Sequence, residues 1–309
     1  MMTSQNSIVR NYFNDWLNAW NRFWFERSDP IVLSLVRVFA GAMILYTHFA
    51  WSFELNTFFG SRSIIPDTYR GQLTGELDLF WSHFDWMPSL LLWPSHVIVL
   101  IVMALFMVGY QTRITGIATA FFVISYANRA TGAQFGLDQI NAFLALYLAL
   151  GPSGEYFSVD RWLKKRAGQG GVTPSVMATI SIRLIQIHMC VVYFFAGTGK
   201  LLGETWWDGT AIWGAIANLE YQTLDLTGLA SHMAIVNIIT YTTLFWEVSY
   251  PFLIWPRLTR PLWIAMAFMV HLGIGIAMGM MTFGLVMVIG NLAFFTPSFV
   301  HSLTNRSRA

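Results

Sequence analysis

Between Ile31 and Phe295 the chain repeats one pattern: apolar stretches of roughly 17 to 25 residues, almost free of charge, separated by polar links. That is close to the length an α-helix needs to cross a bilayer, whereas a barrel strand would show about 10 residues of alternating pattern. Helices also satisfy their own backbone groups in lipid. Only 11% of the 309 residues are charged and 55% are hydrophobic, against about 25% charged in an ordinary soluble domain. The expected fold is an all-α integral membrane protein, a bundle of about eight transmembrane or membrane-embedded helices with interfacial helices beside them.

The spans are expected near residues 31–51, 96–110, 114–130, 137–151, 176–198, 232–255, 262–280 and 282–295. Residues 1–28 read as an interfacial segment, because Ile8, Tyr12, Trp16, Trp20 and Phe23 recur near helical spacing among polar residues. They lack the continuous apolar core of a signal peptide, so the first span is expected to direct insertion. Residues 29–297 form the membrane domain and 298–309 a cytoplasmic tail. The loop 52–94 is aromatic, with Trp81, His83, Phe84, Asp85, Trp86 and Trp93 suited to the headgroup level. A second such segment, 205–218, follows Lys200.

Basic residues set orientation. With the N-terminus inside, the inner segments collect twelve: Arg10, Arg22, Arg27, Arg113, Arg161, Lys164, Lys165, Arg166, Arg257, Arg260, Arg306 and Arg308. The outer segments collect four: Arg62, Arg70, Arg129 and Lys200. Both termini are therefore expected in the cytoplasm of an inner-membrane protein, with Lys200 and the loops 52–94 and 200–231 on the outer face. Membrane lipid is the expected partner, together with a peptide or small molecule at the outer face, and nucleic acid is not. The single cysteine, Cys190, excludes an internal disulfide.

Ionisable groups inside spans are costly and mark functional sites unless they snorkel or pair. Here they are Arg37, His48, Asp138, Arg183, His188, Lys200, Glu247 and His271. Snorkelling accounts for Arg37 and Arg183, and Arg183 could instead pair with Glu247. A hydrogen-bonded core histidine accounts for His188, while His271 lies deeper in its span. No two histidines stand at i, i+3 or i, i+4, so no metal is expected. Nucleotide-binding loops and a serine-nucleophile elbow are missing too. Lys200 ends an apolar span and is followed by Trp206, Trp207 and Trp213. A lysine withdrawn from water can lose its proton near neutral pH and act as a general base, which a solvated one cannot.

Three stretches carry a resemblance. Asp29-Pro30 with Leu33, Arg37 and Gly41, then Tyr156 to Asp160, then Val192 to Leu201 with its Ala-Gly-Thr-Gly-Lys core, are similar to segments of the HTTM family. That membrane domain is shared with vitamin K-dependent γ-glutamyl carboxylase. Val270-His271 resembles a late-helix pair of the carboxylase, and Glu247, Pro251, Arg257 and Arg260 resemble the pattern of bacterial members. In the carboxylase, reduced vitamin K is oxygenated to its epoxide, and the strong base so formed removes a glutamate γ-proton before CO2 adds. The resemblance implies that Lys200 deprotonates the hydroquinone and that His271 is a polar neighbour of its head. It also implies that Tyr193, Trp206 and Trp207 help hold reduced vitamin K or menaquinol, with Asp138, Arg37 and Glu247 as supporting polar groups. The carboxylase's Asn-Asn-His aligns near Gly136 and Leu137, where this chain has no histidine and offers Asp138 or Gln139 instead. Alternative readings are a non-carboxylating HTTM protein that helps maturation or export of a secreted peptide, or a small-molecule transporter.

Overall fold

The structure is a computed structural model that describes residues 2–61, 63–65 and 81–306. Arg62, Arg70 and Arg308, three of the charges weighed for topology, lie outside the described residues. The principal helices are α1 (Met2–Phe25), α2 (Ile31–Trp51), α3 (Leu92–Val108), α4 (Thr112–Arg129), α5 (Gly136–Leu150) and α6 (Val159–Arg166). They continue as α7 (Val176–Lys200), α8 (Met233–Leu253), α9 (Arg260–Ala277), α10 (Met281–Asn291) and α11 (Pro297–Arg306). No strand occurs among the described residues; Ser28 and Ser175 form one isolated bridge.

Five described helical segments are long and apolar enough to cross a membrane: Ile31–Phe59, Ser89–Val108, Val176–Lys200, Thr227–Leu253 and Arg260–Ala277. The pair Met281–Phe294 and Pro297–Thr304, bent by 109°, makes a sixth if taken as one span. Two of the expected eight therefore fall short on these grounds, for visible reasons. Helix α4 is interrupted by polar residues and buries Thr112, Thr115, Thr119, Ser125 and Arg129, and α5 has only 15 residues.

The motifs shared with the family knit one end of the bundle. Asp29 accepts the Ile31 amide at 2.9 Å, opening α2, and also bonds Tyr156 Oη (3.2 Å) and His301 (2.9 Å), which folds α11 back onto α2. Thus the described part of the segment expected as a tail is a docked helix with Val300 buried against Ile31 and Val32. Asp160 caps α4, accepting the amides of Gln111 and Thr112 at 2.7 Å each. Arg37 does not snorkel. It is fully buried and donates to the carbonyls of Phe106 (3.2 Å), Met107 (3.3 Å), Tyr156 (3.4 Å) and Phe157 (2.5 Å). The carbonyls left free at the end of α3 and those of the loop between α5 and α6 supply what a headgroup would have supplied.

At the opposite end stand the C-termini of α2, α4 and α7 and the N-termini of α3, α5 and α10. One apolar core joins α2, α5, α7, α8, α9 and α10 through residues such as Met189, Trp246 and Met287. A second joins α2 to α5 around Ile44, Val99, Met103, Val123 and Tyr126. Helix α1 lies against α7 and keeps Tyr12, Phe13, Trp16 and Trp20 exposed, as an interfacial helix would.

Candidate active site

Without an apolar driving force in lipid, helices associate by close packing, and small residues allow it. A Cβ added at Gly197 would stand 2.9 Å from Val248 N and 3.1 Å from the Glu247 carbonyl carbon. Only glycine lets α7 approach α8 that closely, and one turn further on this contact sets Lys200 beside Glu247. Lys200 Nζ is 2.7 Å from Glu247 Oε2, with 26% of the lysine side chain and 8% of the glutamate exposed. The ring centre of Trp206, on the short helix Glu204–Trp207, lies 5.3 Å from the same nitrogen. The cation is thus held by a buried carboxylate and an aromatic face together.

Beneath the ion pair runs a buried polar network of Tyr250, Asn291, Tyr193 and His271. Tyr250 Oη donates to Asn291 Oδ1 at 2.5 Å. The Asn291 amide nitrogen therefore faces Tyr193 Oη (2.9 Å) and Met287 O (2.9 Å). With Tyr193 Oη accepting that bond, donation of its own proton to His271 Nε2, 2.7 Å away, leaves every hydroxyl of the network partnered. His271 is then the tautomer with its proton on Nδ1, and this buried N–H has no partner. Gly284 makes room for it, since a Cβ there would overlap the His271 carbonyl. Trp246 and Phe283 wall the imidazole at ring distances of 6.1 and 5.9 Å.

The structure brings Lys200, Glu247, His271, Tyr193 and Trp206 together. It separates three others from them. Trp207 is 65% exposed and turns its indole N–H to Leu201 O at 2.8 Å, so it is not a wall of the lysine site. Arg37 is at the far end of the bundle, on its carbonyls. Asp138 caps α5, accepting the Phe135 amide at 2.9 Å, and lines a different cavity with His48 and Asn141. Phe283, packed on Gly136 and against His271, stands between the two.

The pairing of Arg183 with Glu247 does not occur. Arg183 lies under the ring of Phe23 (4.3 Å) and bonds Phe23 O (3.2 Å) and Gln186 Oε1 (2.9 Å). Its 17-residue separation from Lys200 places it about 25 Å along α7, at the other end. His188 is a core histidine, stacked on Phe143 (3.9 Å) and bonded to Tyr147 Oη (3.1 Å). Tyr250, Asn291 and Trp246 were not anticipated. Asn291 was findable, because an amide in an otherwise apolar span must be hydrogen-bonded. No group of three or more His, Cys, Asp or Glu that could hold a metal ion occurs among the described residues.

The family model described as HTTM domain matches residues 25–299. No curated protein and no solved structure matches the chain. The match spans every helix that builds the site, from α2 to the start of α11, and the chain belongs to the HTTM family.

Proposed function

We propose that this protein is a membrane-embedded, carboxylase-like enzyme that binds a reduced quinone of the vitamin K type, with Lys200 as general base. The observation that carries the reading is the cluster of Lys200, paired with the buried Glu247, and His271, whose buried Nδ1 has no hydrogen-bond partner. A buried N–H without a partner costs about 1–3 kcal/mol, and the phenolic oxygen of a quinol head is a suitable acceptor. Tyr193, Trp246 and Trp206 supply apolar walls for an aromatic ring. When bound, the reduced quinone supplies the electrons for reaction with oxygen.

Glu247 gives the base its proton outlet. In water, the pair exists as ammonium and carboxylate. Closing an apolar group over it removes the water that supports two charges, and moving one proton from Nζ to Glu247 neutralises both. The amine so formed can accept the hydroxyl proton of the quinol, while His271 Nδ1–H steadies the oxygen left behind. Helices α4 and α5 count as spans in this reading, which gives eight, with both termini in the cytoplasm of an inner membrane and Lys200 on the outer side. The amino-acid asymmetry of the loops supports that orientation.

The test is binding of menaquinol or reduced vitamin K to the detergent-purified protein under argon. Lys200→Met and His271→Phe are each expected to weaken binding about tenfold or more, the loss of one charge-assisted or buried hydrogen bond. Equal binding by wild type and both variants would discard the reading.

A further inference from the structure

Between α2, α4 and α5, at the same end of the bundle as Lys200 but on the other side of Phe283, lies a small cavity of about 10 Å³. Its wall includes His48, Trp51, Tyr126, Gln134, Asp138 and Asn141. His48 and Asn141 are 3% and 1% exposed, and His48 Nε2 and Asn141 Oδ1 have no partner.

The role of both atoms is fixed by hydrogen bonds to α2. His48 Nδ1 lies 2.8 Å from Ile44 O, which can only accept, so the ring proton is on Nδ1 and Nε2 is a lone pair. Thr47 Oγ1 donates to Met43 O (2.8 Å) and can therefore only accept from Asn141 Nδ2 (3.2 Å), which leaves Asn141 Oδ1 free. Gln134 directs its amide nitrogen to Ala127 O. The cavity is thus lined by acceptors: an imidazole nitrogen, a carboxamide oxygen and the Asp138 carboxylate. The C-terminal end of α4, which favours positive charge, also lies there. Arg129, the cation of that turn, points away, to Ile65 O (3.0 Å) and Ser63 Oγ (3.0 Å).

We propose that this cavity binds one protonated amine, either free ammonium or the ammonium end of a small alkylamine. Its N–H groups meet His48 Nε2, Asn141 Oδ1 and Asp138, and Trp51 and Tyr126 face the cation. The space fits a single non-hydrogen centre. A hydrogen-bonded chain leads from it toward solvent: Tyr126 Oη to His96 Nδ1 (2.7 Å), and His96 Nε2 to the half-buried Ser52 (2.8 Å).

The experiment titrates detergent-purified full-length protein with ammonium, methylammonium and ethanolamine chlorides, against sodium and potassium chlorides at equal ionic strength, reading the unfolding temperature. A saturable rise with an amine salt and none with sodium or potassium is expected. A rise with ammonium alone identifies the free ion, and a rise with the alkylamines as well identifies an amine terminus. Asn141→Leu should weaken the apparent affinity about tenfold or more. Because that variant can lose the fold, ¹⁵N-histidine resonances of the wild type are followed in parallel, and the Nε2 signal of His48 should move with amine alone. Identical responses to all the salts, or a His48 signal that ignores amine, would mean a water-filled cavity and overturn the proposal.

Discussion

Glu247→Gln keeps the size of the side chain and removes its charge, leaving the Lys200 ammonium facing an amide in a largely buried place. Breaking a buried ion pair from one side costs about 3–5 kcal/mol. Here the lysine keeps 26% of its side chain open to water, so water and the amide oxygen recover part of that, and about 1.5–3 kcal/mol remains. At about 2–4 °C per kcal/mol the melting temperature should fall by roughly 5 °C. The assay is built into the chain, since Cys190 is its single cysteine and is 8% exposed inside the core. A thiol-reactive fluorophore therefore reports unfolding directly. Lys200→Met combined with Glu247→Leu removes both charges and should recover most of the loss, because an apolar pair of similar volume is often as stable as the ion pair. A Glu247→Gln protein melting within about 1 °C of wild type, or a double variant whose loss is the sum of the singles, would refute the coupling.

Gly197→Leu should force α7 off α8 and cost about 1–3 kcal/mol of overpacking, lowering the melting temperature and separating Lys200 from Glu247. Arg37→Met leaves four carbonyls without their donor and should be among the most destabilising single changes, measured as a fall in folded yield from membranes. His83, in the loop before α3, is held by burial to about 4, below the ordinary 6.5. Its neutral form is the one the fold accepts, so its contribution is complete above pH 6.5 and is lost as the pH falls toward 4. His83→Gln should lose less stability than wild type over that interval, read from melting temperatures at pH 7 and pH 4.5.

The helical membrane fold was legible because hydrophobic run length is a strong signal, and the starts of α2 and α5 follow from Asp29-Pro30 and Asp138. The number of spans was less so: α4 buries its threonines and serine inward, where apolarity no longer measures membrane exposure. Lys200, Tyr193, His271, Glu247 and Trp206 were each nameable in the sequence, but their partners were not. Lys200 and Glu247 are 47 positions apart, and only the approach at Gly197 makes them a pair. Arg37 misled for a physical reason: an arginine in a span can reach water, or it can reach carbonyls freed at a helix end, and composition does not separate these.

In the proposed reaction Lys200, coupled to Glu247, takes a proton from a reduced quinone so that it can react with oxygen. The most direct measurement is epoxide formation by detergent-purified protein supplied with reduced vitamin K or menaquinol and air, comparing wild type with Lys200→Ala. Epoxide is expected from wild type and none above background from the variant. Epoxide at equal rates from both, or none from wild type where an authentic carboxylase turns over, would contradict it.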